Sequence, residues 1–191
     1  MMKLLNCVEI STPQHVERMR QIYNENLVFL ATHPIPERTY EEQQEWWNSA
    51  KEYSKGYLYE PSNCPGQYVA FMVLRQRDGF KTPILGITKS EWGSGYGKEI
   101  IKDYIVKADG PLSGEQLRSN VAICHCNLKL GWQIIGERKE GDDIVELLFH
   151  PGINEEKACT ESVFSHILEY LDLKPGSFDF KKLNKPYLNV K

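Results

Sequence analysis

Residues 91–101 read EWGSGYGKEII, with three glycines inside five positions followed by a run that turns amphipathic. Glycine gives up more conformational freedom on folding than any other residue, so such a cluster marks backbone that must bend or stay bare. The preceding ILGIT, 84–88, reads as a strand. From Gly95 to Ala108, Ile100, Ile101, Tyr104 and Ile105 recur at helical spacing. Strand, glycine loop and helix start in that order bind phosphates. Bare N–H groups and the positive end of the helix dipole converge on the loop.

Spacing excludes two common phosphate loops. A P-loop carries a glycine five positions before its Gly-Lys pair and Ser or Thr after the lysine. Here the pair is Gly97-Lys98, position 92 is Trp and position 99 is Glu. A dinucleotide fingerprint needs its third glycine at position 98, which is Lys. Ser94 lies in Gly-Ser-Gly, so there is no nucleophile elbow, and its hydroxyl is expected near phosphate.

Working outward, LLNCVEI at 4–10 reads as a first strand. Ser11 or Thr12 caps the next helix, with Pro13 in its first turn and Val16, Met19, Ile22 and Tyr23 on its apolar side. Thr39 and Glu42 form a capping box for a helix over 40–53, with Trp46, Trp47, Ala50 and Tyr53 as its apolar side. GYLYE and QYVAFMVLRQR read as strands, and DGFKTP turns the second into ILGIT. ADGPLSGEQ reads as a loop before a short strand near 116–119, then a helix over 121–130 stopped by Gly131. WQIIGERK and IVELLFH, joined by EGDD, form a closing hairpin, and a last helix is expected over 155–171. The order is that of one mixed α/β layer structure over 1–150, with a C-terminal helical extension and tail over 151–191.

The 191 residues suffice for one ordinary core. A net charge of −3 without a basic stripe gives no support for a nucleic-acid partner. No stretch approaches the length of a membrane span and the N-terminus has no signal-peptide pattern. Five cysteines without framework spacing point to a reducing, cytoplasmic compartment. CHC, 124–126, with His150 as a distant further ligand, suggests a metal site, but helical geometry turns Cys124 and Cys126 apart, so they are read as two buried thiols of a core helix.

Trp92-Gly93-Ser94-Gly95-Tyr96-Gly97 resembles the acyl-CoA pyrophosphate loop of the GCN5-related N-acetyltransferase (GNAT) superfamily, with Trp in the place of the usual Arg or Gln. Asn120 and Gly131-Trp132, eleven residues on, match the family's Asn and Gly-aromatic pair, and the final hairpin follows. The resemblance covers about residues 4–150. It implies a mixed, mostly antiparallel sheet flanked by helices. It also implies acetyl transfer from acetyl-CoA to a primary amine by direct attack in a ternary complex.

By that resemblance residues 92–98, including Lys98, hold the pyrophosphate. A main-chain N–H at Ile87, and with it Thr88, serves the thioester oxygen where two strands splay and leave N–H groups unpaired. Asn120 meets the pantetheine arm. The acceptor is a small-molecule amine, such as an amino-sugar, or a peptide, with nucleic acid and membrane excluded and a homodimer the assembly considered. Trp46, Trp47, Tyr53, Tyr57 and Tyr59 are read mainly as core, with one or two rings, Glu37 and Arg38 on the acceptor side.

The amine must lose a proton before attack, and Glu91 and His33 are the candidate bases. The family's thiolate-protonating Tyr falls at Asn127, whose amide donates a hydrogen bond but no proton. Two other readings stay open, the first of them motivated by that departure. One is a non-catalytic acyl-CoA-binding or interaction module, the other a nucleotide-binding α/β protein.

Overall fold

The computed structural model describes residues 5–30, 36–174, 178 and 180–183. In chain order its elements are β1 (Leu5–Glu9), α1 (Pro13–Glu25), α2 (Leu27–Leu30), α3 (Tyr40–Ala50), β2 (Ser54–Pro61), β3 (Ala70–Gln76) and β4 (Lys81–Ile87). A 3-10 turn (Lys89–Glu91), α4 (Tyr96–Ala108), β5 (Leu112–Leu117), α5 (Val121–Lys129), β6 (Gln133–Glu140) and β7 (Asp143–His150) follow. A second 3-10 turn (Glu155–Lys157), α6 (Glu161–Tyr170) and α7 (Phe180–Leu183) complete them. The strands are ordered β1-β2-β3-β4-β5-β7-β6. β1–β2, β2–β3, β5–β7 and β6–β7 pair antiparallel and β4–β5 parallel, giving the expected mixed, mostly antiparallel sheet.

The chain divides into two compact units, Met1–Arg75 with Ile84–Ile100, and Gln76–Pro83 with Ile101–Lys191. The packing therefore does not divide at residue 150. Among the described residues no helix is long and apolar enough to cross a membrane.

In the first unit, α1 begins as its sequence dictates. Thr12 accepts from the His15 N–H, and Pro13 fills a position whose own N–H would be idle. Val16, Met19, Ile22 and Tyr23 are buried against Trp47, Ala50, Leu58, Phe71 and Val73. The Thr39–Glu42 capping box is present. That helix departs from its expectation at its end and on its buried side. It ends at Ala50, so Tyr53 stands outside it and is 47% exposed, and Gln43 takes a buried place beside Trp47. Trp46 is half-buried, with the guanidiniums of Arg38 and Arg75 5.0 Å and 5.2 Å from its ring.

The second unit is built on Phe80, Leu117, Ile135, Val145, Leu147 and Phe149, with Cys159, Phe164, Ile167, Leu168 and Leu171 packed on them. The extension is thus part of this core. Phe149 and Phe164 meet edge to face with centroids 5.3 Å apart. The single helix expected over 155–171 is instead a 3-10 turn and a helix, because Thr160 leaves the helical path to cap α6 at the Val163 N–H. The loop expected through Leu112-Ser113-Gly114-Glu115 is strand β5. Its turn-forming residues are held extended by register with β7, Leu112 opposite His150 through Leu117 opposite Val145.

Candidate active site

In the first unit the end of β4, 84–87, runs through the 3-10 turn into the glycine loop and the first turn of α4, as the sequence implies. Gly93 and Gly95 have φ of +78° and +90°, where an L side chain is strained. A Cβ at either would nevertheless meet nothing within 4 Å. These glycines serve the path of the backbone and leave open space above it.

The N–H of Glu91 donates to Thr88, of Trp92 to Lys89 and of Ser94 to Glu91, while the Tyr96 N–H reaches Ser94 Oγ at 3.4 Å. Among the described residues the N–H groups of Gly93 and Gly95 donate to nothing within the chain. Gly97 and Lys98, in the first turn of α4, add N–H groups that helical geometry leaves without an intrahelical acceptor. The result is an alternating set of free donors at a helix N-terminus. That arrangement suits an oligophosphate.

Trp92 is 44% exposed, yet its indole Nε1 donates to Ile87 O at 2.9 Å. Phe29 packs edge-on to its ring, and the Lys89 ammonium lies 5.9 Å from the ring centre. The residue that departs from the usual Arg or Gln thus ties the loop back to the end of β4. Ile87 O also accepts from Asn26 Nδ2 at 2.8 Å, and the same amide nitrogen reaches Ile22 O at 2.7 Å. Two donors on one carbonyl fix the peptide plane between Ile87 and Thr88. Glu25, next to Asn26, accepts from the Lys89 N–H at 2.8 Å.

Thr88 corrects one expectation. Its N–H donates to Val69 O at 2.8 Å and is occupied, leaving Ile87 as the main-chain donor to consider. The Thr88 hydroxyl instead pairs with Ser90 Oγ at 3.2 Å. Glu91 is half-buried, and its charge, after burial, helps raise the Tyr96 phenol pKa. His33 lies outside the described residues.

Arg38 is anchored by Asn24, which bonds both its N–H and its carbonyl at 3.0 Å, and by Arg20 at 2.9 Å. Its guanidinium stacks 4.3 Å from the Tyr23 ring and donates to Gln43 Oε1. Glu37 is exposed, Trp47 and Tyr59 are buried and Tyr57 is half-buried. Of the aromatic set read as core, Trp47 and Tyr59 are buried, Trp46 and Tyr57 are half-buried and Tyr53 is exposed.

In the second unit Asn120 caps α5, its Oδ1 accepting from the Ile123 N–H at 3.4 Å. Asn127 is buried in a polar chain that sequence reading missed. Its Nδ2 donates to Gln116 Oε1 at 2.7 Å, Gln116 Nε2 donates to Glu146 Oε2 at 2.7 Å, and Arg118 Nε donates to Glu146 Oε1 at 2.9 Å. The Tyr104 hydroxyl closes the chain on Asn127 Oδ1 at 3.5 Å, with its own pKa raised far above the usual phenol range by burial. An ionised carboxylate only accepts, so Glu146 orients Gln116 and Gln116 orients Asn127. Cys124 and Cys126 are half-buried, not buried as read, and burial pushes the Cys124 thiol up to about 11. His150 is a buried neutral imidazole, accepting from the Gly152 N–H and donating to Leu130 O, both at 3.0 Å.

No protein-family model and no curated protein matches the sequence. Solved structures do. A spermidine N-acetyltransferase from Vibrio cholerae in complex with CoA and spermine superposes with a TM-score of 0.64 at 11% identity, over 76% of this chain and 94% of that one. An N-acetyltransferase from Staphylococcus aureus Mu50 gives 0.63 at 15%, over 78% and 96%. An acetyltransferase of the GNAT family from Streptococcus pneumoniae gives 0.57 at 18%, over 76% and 98%. The chain has the GNAT fold.

Proposed function

We propose that this chain is an acetyl-CoA-dependent N-acetyltransferase. The free N–H groups of Gly93 and Gly95 at the start of α4 carry the reading. They offer the cofactor's pyrophosphate a set of donors, with Gly97, Lys98 and the helix dipole behind them. The Ser94 hydroxyl and the exposed Lys98 add a donor and a charge.

The thioester would lie at the end of β4. There the doubly bonded Ile87 carbonyl holds the peptide that follows, and the Ile87 N–H is the donor for the oxygen that gains charge as the amine attacks. A donor already held at the end of a strand costs little reorganisation in the transition state. Attack by the neutral amine forms a C–N bond, the tetrahedral adduct collapses, and the C–S bond breaks. Asn127 is committed to Gln116 and Tyr104 and has no proton to give, so the departing thiolate is protonated by solvent or by the proton shed from nitrogen.

The acceptor class is a primary amine. The polyamine bound by the Vibrio cholerae neighbour puts spermidine on the panel, beside amino-sugars and peptides. Free-thiol release from acetyl-CoA across that panel is the test. Release with at least one amine is expected. Acetyl-CoA binding with no release for any amine would favour the second reading, a non-catalytic acyl-CoA-binding module. The commitment of Asn127 to the core is the observation that supports it.

A further inference from the structure

We propose that Glu25 is the general base that deprotonates the acceptor amine, an assignment that rests on the acetyl-transfer reading. Glu25 is the last residue of α1, and its Oε2 accepts from the Lys89 N–H at 2.8 Å. Asn26, only 6% exposed, binds Ile87 O. Helix and strand are thus pinned end to end, and the carboxylate is held by backbone rather than left to swing in solvent. Lys89 N and Ile87 N are two peptide units apart, at most about 7 Å, so the carboxylate lies within roughly 10 Å of the Ile87 N–H. That span accommodates the thioester carbonyl, an attacking nitrogen about 3 Å from its carbon, and one bridging water. Among the described residues Glu25 Oε1 has no donor, so one oxygen is anchored and the other is available.

Of the two bases suggested by the sequence, only Glu91 lies among the described residues. Glu91 ends the 3-10 turn at the start of the glycine loop, where a negative charge opposes the pyrophosphate. His33 is outside the described residues.

In the step, an acceptor ammonium gives one proton to Glu25 through water, and the nitrogen lone pair attacks the thioester carbon. As the C–S bond breaks, the nitrogen's second proton goes with the thiolate. One amide and one thiol form, and the proton on Glu25 returns to solvent. The competing role is structural, with the carboxylate serving only as acceptor for the 3-10 turn.

Glu25→Gln separates the two roles, because the amide oxygen keeps the Lys89 bond while basicity is lost. The probes are spermidine, glucosamine and glycylglycine, plus hydroxylamine, which is mostly neutral at pH 7 and needs no base. With the first three, Glu25→Gln is expected to lower kcat by roughly 100-fold or more at unchanged KM for acetyl-CoA. Hydroxylamine turnover should stay close to wild type. Glu25→Ala should also lose acetyl-CoA affinity, since it removes the anchor of the β4 end. Undiminished kcat in Glu25→Gln with every amine would overturn the assignment alone, as would equal loss with hydroxylamine. A wild-type protein that binds acetyl-CoA but releases no thiol with any probe would overturn the acetyl-transfer reading and this assignment together.

Discussion

Asn127 owes its chemistry to its neighbours. Glu146 can only accept, so Gln116 must point its amide nitrogen at it and its oxygen at Asn127, which in turn presents Nδ2 to Gln116 and Oδ1 to Tyr104. Asn127→Asp keeps the shape and inverts the polarity, setting a carboxylate oxygen against Gln116 Oε1. Chemical denaturation should register a loss of about 1–3 kcal/mol or more, the cost of a buried acceptor facing an acceptor. A variant as stable as wild type would mean the polar chain is not fixed. Spacing from Asn120 singled out Asn127 in the sequence, but its partners were illegible. Gln116 and Glu146 are far apart in the chain and meet only through the β5–β7 register. Thr88 fails for the same reason, since the bond to Val69 is set by strand pairing that no local pattern displays.

Among the elements, the helices with strong local signals were legible. Thr12 with Pro13, and Thr39 with Glu42, begin helices where they stand, because caps act within one turn. β5 was not, since Pro111, Ser113 and Gly114 argue for a turn and are overruled by pairing with β7. The clamp of α1 on the end of β4 through Glu25 and Asn26 has no sequence signature either. The break before α6 turns on Thr160. Its oxygen caps the Val163 N–H, so Thr160→Ala should cost about 1 kcal/mol. Phe164→Ala should cost about 3–5 kcal/mol, because the ring is packed between Phe149 and Phe180 inside the second unit's core. Thermal unfolding of the two variants gives the comparison, and equal, negligible shifts would show α6 to be dispensable.

For the whole molecule, the fold was legible from the order of elements and from two spacings, the glycine loop and Asn120 with Gly131-Trp132. Composition set only broad bounds. Stability against pH has an identifiable source in His150, whose pKa burial pushes down from the ordinary 6.5 to about 4. Below pH 6.5 the unfolded chain takes up a proton that the folded chain refuses until about pH 4. Folding stability should therefore fall as pH drops through that window, by about 1.4 kcal/mol per pH unit and about 3 kcal/mol in all from this group. Denaturant melts at pH 7 and pH 4.5 should show that difference shrink in His150→Gln, and an unchanged difference would remove His150 as the cause. The measurement closest to the central claim is a calorimetric titration of acetyl-CoA into the wild type and Gly95→Asp, with circular dichroism to confirm the fold. Gly95 lies over open space, so the variant should stay folded. Its carboxylate and the strain of an L residue at φ +90° should weaken binding at least about tenfold, more than 1.4 kcal/mol. Equal acetyl-CoA affinity in the two folded proteins, or no acetyl-CoA binding by the wild type at all, would contradict the assignment of the loop.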